Sequence, residues 1–352
     1  MRGMYFSPPL TRRGGAESAG AVWGNQNNGG GMKNLAVAVM IGLAAVLGGR
    51  ALGDTTNAPP PWAFAVNPPG GQPPQDDGTL KHVPNSDAAF TITQIRDLYN
   101  VPDWHPDNHP PMPGPVQHGP RQGVFACGFC HLPNGLGRPE NSGLAGLPAA
   151  YIVQQLADFK SGARKTSEPA SLPVALMVSV AKGATDEEVR TAAEYFSSLK
   201  PTQWIRVVET DNVPKTKVAG WMLVAVQPEA SEPIGQRIIE MPENLERTEL
   251  RDSASGFIAY VPVGSIKRGE ALVTTGAGKT TPCAICHGSD LRGLGPVPSL
   301  AGRSPSYIVR QLYDMQHGVR NGSWSELMKG VVARLSEEDL VSIAAYTASR
   351  EP

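Results

Sequence analysis

Apolar positions recur at helical spacing in two stretches that share one lead-in. Val189, Ala192, Ala193 and Phe196 form the first stripe; Leu340, Ile343, Ala344 and Thr347 form the second. Each follows a hydroxyl and three acids, Thr185-Asp186-Glu187-Glu188 and Ser336-Glu337-Glu338-Asp339. A hydroxyl at the N-cap with a carboxylate three residues on predicts a helix start, and the acids suit its positive end. A third helix is predicted over Ser265 to Gly276, with Ile266, Gly269, Leu272 and Val273 on one side.

Elsewhere the pattern is not helical. Fifteen of the 33 prolines lie between residues 54 and 120, and HPDNHPPMPGPVQHG is too proline-rich for a helix. This arm is expected to wrap the first half of the protein in extended or polyproline form, with a short helix at Thr91 to Tyr99. Residues 201–264 hold Trp204, Trp221, the apolar run Met222 to Val226 and an expected hairpin around Arg251 to Tyr260. That is too long and too apolar for a flexible linker, and it reads as a small β-containing insert that braces the two halves rather than docks a partner.

The helical patterns belong to an internal repeat. LPAAYIVQQLADFKSGAR and RSPSYIVRQLYDMQHGVR both run Tyr-Ile-Val-x-Gln-Leu, an acid, then Gly-x-Arg. Leu-Ala-Gly precedes each (Leu144 to Gly146, Leu300 to Gly302), and a Leu-Met pair follows each (Leu176-Met177, Leu327-Met328). Twenty residues before each tyrosine, Tyr151 and Tyr307, stands the histidine of a C-x-x-C-H motif: Cys127, Cys130 and His131, then Cys283, Cys286 and His287.

All four cysteines of the chain sit in these motifs. The pattern attaches haem covalently: two thiols add to the vinyl groups and the adjacent histidine reaches the iron. A zinc half-site or a thioredoxin-like pair is the alternative for one copy, but two copies ending in histidine favour two haems. For the sixth ligand the repeat offers Met177 and Met328, each eight residues before its N-cap, Thr185 or Ser336. The loop from tyrosine to methionine is five residues longer in the first unit, so the match holds from the last helix only. Packing under that helix is the alternative. Met315 falls opposite Phe159 and is read as core. Thioether ligation favours ferrous iron and a raised potential.

This order of motifs resembles class I cytochrome c domains, and the tandem is similar to the dihaem cytochrome c4 group. The resemblance covers about residues 121–200 and 265–350. It implies a mainly α fold of two haem domains, with electrons passing between two covalently bound haem c groups. It implies His131 and His287 as proximal ligands and Met177 and Met328 as distal ones. The family also tends to orient the proximal histidine with a proline carbonyl; Pro298 stands at that place in the second unit and Ser142 in the first. The expected division is 1–53 leader, 54–120 arm, 121–200 first domain, 201–264 insert and 265–352 second domain.

The charge adds little but exclusion. Removing residues 1–53 takes five basic residues and one acid, moving the formal net charge from −1 to −5, and no basic block points to nucleic acid. From Met32, which reads as an alternative start, Lys33, the apolar run Leu35 to Leu47 and Ala51-Leu52-Gly53 form an export signal cleaved near Asp54. Periplasmic export is expected, with membrane association through an uncleaved leader or a membrane complex as the alternative. His105, His109, Met112 and His118 are read as solvent-facing loop residues rather than a copper site. The resulting expectation is an electron carrier between redox partner proteins and not an enzyme. The alternatives are a haem enzyme with one open iron, peroxidase-like or sulfur-compound oxidising, and the electron-entry subunit of a larger complex.

Overall fold

A computed structural model describes residues 58–70, 75–227 and 230–352. The expected leader, 1–53, lies outside the described residues.

The arm carries two single-turn helices, α1 (Ile92–Ile95) and α2 (Gly114–Gln117). The helix expected over Thr91 to Tyr99 starts there, with Thr91 as its cap in a reciprocal box with Gln94, but it stops well short of Tyr99. The Asp97 carboxylate takes the Tyr99 amide at 2.8 Å and the Asn100 side chain at 2.7 Å, which turns the chain out of the helix. The arm also does more than wrap the first unit. Trp62 and Phe64 are buried in the core shared by the insert and the second unit, where Phe64 meets Tyr313 edge-on at 5.5 Å. Large aromatic rings bury where the deepest apolar core is offered, and here that lies beyond the first unit.

The first unit comprises α3 (Cys127–His131), α4 (Ala149–Ser161), α5 (Leu172–Gly183) and α6 (Asp186–Ser198). Thr185 caps α6 in a box with Glu188, and Ala192, Ala193 and Phe196 are buried against Leu147 and Ile152.

The insert is β-rich. Strands β1 (Ile205–Glu209), β2 (Asn212–Pro214), β3 (Thr216–Ala219), β4 (Met222–Ala225), β5 (Ser231–Pro233) and β6 (Ile239–Pro242) precede one helical turn, α7 (Leu245–Glu249), and β7 (Phe257–Val261). The three-stranded sheet has the order β1-β7-β6, with β1 parallel to β7 and β6 antiparallel to it. The expected hairpin at Arg251 to Tyr260 is not formed. β7 pairs instead with the distant β1 and with β6, from which α7 separates it, while the residues before it turn around the Asp252 carboxylate. A tight hairpin lies earlier, where β3 meets β4 through Gly220 and Trp221, both at positive φ.

The second unit comprises α8 (Ser265–Thr275), α9 (Ala284–His287), α10 (Pro305–Gln316), α11 (Glu326–Val332) and α12 (Glu337–Ala348). Ser336 and Asp339 form the predicted box at α12. α8 crosses α12 at Gly269, where any Cβ would collide with the Ser342 carbonyl. The insert and the second unit share one apolar core, in which Ile239, Phe257 and Val261 join Leu272, Leu340 and Ile343. Met315 is buried there, as its place in the repeat predicts.

Candidate haem sites

Each C-x-x-C-H folds as one helical turn closed by a residue at positive φ, Leu132 after α3 and Gly288 after α9. The histidine then turns back on its own downstream loop. His131 Nδ1 donates to the Ser142 carbonyl at 2.8 Å, and His287 Nδ1 donates to the Pro298 carbonyl at 2.8 Å. A carbonyl only accepts, so the proton sits on Nδ1 and the Nε2 lone pair is left for a metal. Burial pushes both imidazoles below their ordinary pKa, which keeps them neutral. Serine does in the first unit what proline does in the second.

Cys127, Cys130, His131 and Met177 all line one cavity of about 1000 Å³. α3 supplies three of these side chains and α5 the methionine. Its walls are mostly apolar, including Leu147, Ile152, Phe159 and Phe196. Size, apolar walls, two thiols, an imidazole with a free Nε2 and a thioether together fit a covalently held iron porphyrin. In the second unit Met328 lies on α11 and packs with Cys283 and Ala284 against the shared core. There Cys286 is exposed and Ile285, Leu294 and Leu327 are 64%, 62% and 83% exposed.

Chain from outside the first unit completes its cavity. The wall includes Leu98 from the arm, Trp221 and Arg251 from the insert, and Tyr307 and Gln311 from the second unit. Arg138 and Glu140 also line it and pair at 3.0 Å with both side chains nearly fully buried. Of the three histidines read as solvent-facing, only one is. His118 is exposed, but His105 is buried 2.8 Å from Asp252, and His109 lies 3.2 Å from Asp103 with its ring screened from solvent. Both are tied down because an aspartate on the arm or insert faces them.

The repeat motif itself makes the seam between the units. Arg164 donates to the Tyr307 hydroxyl at 3.0 Å and to Gln311 at 2.9 Å, while Arg320 donates to the Tyr151 hydroxyl and to Gln155, each at 2.9 Å. Burial opposes ionisation of the Tyr307 phenol, but Arg164 and Arg320 outweigh it and pull the group down to about 7. The sequence displays these residues as a repeat, which is the only signal of their role; that they meet across the units is tertiary.

No family model matches the chain. A cytochrome c4 from Stutzerimonas stutzeri is 32% identical over 233 residues, covering 63% of this chain and 83% of that protein. The chain belongs to the cytochrome c4 family. It is thus a dihaem class I c-type cytochrome with two covalently bound haem c groups, an electron-transfer protein of tandem helical domains. The thiosulfate dehydrogenase electron acceptor of Stutzerimonas stutzeri (strain A1501) is 25% identical over 237 residues, covering 66% of this cytochrome and 83% of that protein. The solved structure of reduced recombinant cytochrome c4 from Pseudomonas stutzeri matches with TM-score 0.41 at 22% identity, covering 64% of this cytochrome and 93% of that chain. Among the described residues no helix is long and apolar enough to cross a membrane.

Proposed function

We propose that this c4-family cytochrome is a periplasmic carrier that takes single electrons from a dehydrogenase and hands them to a respiratory acceptor. The observation that carries the reading is the convergence of Cys127, Cys130, His131 and Met177 on one apolar cavity. Cys283, Cys286, His287 and Met328 hold the second haem by the same pattern. The haem irons supply one-electron ferric/ferrous chemistry.

The protein's share would be to hold each haem between one histidine and one methionine. The Ser142 and Pro298 carbonyls fix the imidazole tautomers and would hold each ring's orientation toward the haem it binds. Met177 and Met328, each on a helix, supply soft sixth ligands that favour the reduced state. Mostly apolar walls surround the first site. The similarity to a thiosulfate dehydrogenase electron acceptor supports a thiosulfate-oxidising enzyme as the donor.

The test is the visible spectrum of the dithionite-reduced protein before and after carbon monoxide. An unchanged spectrum is expected, because His131 with Met177 and His287 with Met328 would leave neither haem an open site. A shift on half of the haem would remove one methionine from its place and move the protein toward the enzymes with an open iron. Rapid reduction by a purified thiosulfate dehydrogenase with thiosulfate would support the donor; no reduction would remove it.

A further inference from the structure

The insert sends one side chain to the attachment turn of the first haem. Arg251 Nη1 donates to the Phe129 carbonyl at 2.8 Å, and its guanidinium lies 3.6 Å from the Phe129 ring centroid. Phe129 is the residue between Gly128 and Cys130 in the motif, and Arg251 lines the cavity together with Cys130.

The backbone is bent to achieve this. Arg251 has φ 58, a conformation that residues other than glycine adopt at a cost and that persists only when its surroundings enforce it. They do so from three segments. Trp104 Nε1 donates to the Leu250 carbonyl at 2.7 Å, Asn134 donates to the Ser253 carbonyl at 2.7 Å, and Arg247 holds the Asp252 carboxylate at 2.7 Å. His105 meets the other Asp252 oxygen at 2.8 Å.

Among the described residues no carboxylate forms an ion pair with Arg251, although Glu140 attracts it electrostatically. Glu140 is committed to Arg138 at 3.0 Å. Burial, then Arg138 beside it, pulls the Arg251 guanidinium down to about 9, which leaves it a cation at neutral pH. The second unit has Ile285 at the place of Phe129, and Ile285 is 64% exposed.

We propose that Arg251 is a positioning residue of the insert whose fixed positive charge, held over Phe129, selectively raises the reduction potential of the haem on Cys127 and Cys130. A cation beside the site in a medium of low dielectric opposes the extra positive charge of ferric iron, and the ferrous state gains. The proposal rests on the haem assignment above.

The test is a spectroscopic redox titration of the full-length holoprotein, wild type against Arg251→Gln and Arg251→Lys. The wave of the first haem is identified as the one lost in Cys127→Ala/Cys130→Ala. Glutamine keeps a donor for the Phe129 carbonyl and removes the charge; lysine keeps the charge. The expected result is that Arg251→Gln shifts the ferrous/ferric equilibrium of the first haem about tenfold toward ferric, about 59 mV for one electron. The second haem stays unchanged, and Arg251→Lys recovers most of the shift. An unchanged first wave in Arg251→Gln would overturn the proposal, as would an equal fall in Arg251→Lys. Where Arg251→Gln does not mature, Arg251→Met, which fills the same space over Phe129, takes its place. Failure of both neutral variants beside a normal lysine variant would assign Arg251 to haem assembly instead and overturn the tuning role. Haem content by mass separates all these outcomes from failure of the haem assignment, which would leave the wild type itself without haem on Cys127 and Cys130.

Discussion

Arg164 and Arg320 pair as an antiparallel bridge at the seam between the two repeats, and each guanidinium reaches into the opposite unit. Both side chains also share the amides of Gln155 and Gln311, at 2.9 and 3.1 Å. Both arginines are buried, so losing one takes the donor from the tyrosine hydroxyl it holds and leaves each shared amide oxygen with one donor in place of two. Arg164→Ala should therefore destabilise the tandem by about 2–4 kcal/mol. Calorimetry should show the wild type melting in one transition and the variant in two. Because both arginines act on one network, Arg164→Ala and Arg320→Ala combined should cost less than the sum of the two.

Covalent attachment is separable by site. Replacing Cys127 and Cys130 by alanine should reduce haem from two groups to one per chain, read directly by mass and by the pyridine haemochrome spectrum. The same exchange at Cys283 and Cys286 should leave the complementary haem. A variant retaining both haems would contradict the site assignment.

Met177→Ala and Met328→Ala should each open one iron. In either variant carbon monoxide should shift the spectrum of about half of the haem, and the potential of that haem should fall as the soft ligand is lost. A variant that leaves both haems closed to carbon monoxide would return that methionine to a packing role.

Gly269 lies where α8 crosses α12, and a methyl group there meets the Ser342 carbonyl. Gly269→Ala should cost about 1–3 kcal/mol through overpacking at this crossing. Urea unfolding followed at the second haem should report it, with the first haem's Soret spectrum unchanged in the native state.

His109 gives the arm a pH-dependent anchor. Burial alone would lower its pKa, but the hydrogen bonds that the ring donates to the Asp103 carboxylate and the Pro110 carbonyl outweigh this and raise it above 6.5. The doubly protonated ring suits its surroundings, with Asp103 at 3.2 Å from Nε2 and the Pro110 carbonyl and Tyr195 hydroxyl at 2.9 and 3.2 Å from Nδ1. A raised folded-state pKa means stabilisation that is complete below the ordinary histidine value and lost as pH rises through the folded one. The melting temperature should thus be higher at pH 5.5 than at pH 8 by a margin that His109→Gln removes. These pH values bracket the ordinary histidine pKa of about 6.5.

What the sequence determined by itself is what is written locally. A haem-attachment motif is five consecutive residues, a capping box is four, and an amphipathic stripe repeats within a turn, so the two attachment turns and the helices α6, α8 and α12 are all legible. The duplication adds a second reading of each feature, which is how Met177 and Met328 stand out from Met315. Tertiary structure decided whatever depends on contacts between distant segments. β1 and β7 pair in parallel across the whole insert, the arm's Trp62 and Phe64 bury beyond the first unit, and His105 and His109 are fixed by Asp252 and Asp103. Such contacts have no period and no fixed spacing. Arg251 is the sharpest case: its position over Phe129 depends on one positive φ angle that the arm, the first unit and the insert jointly enforce.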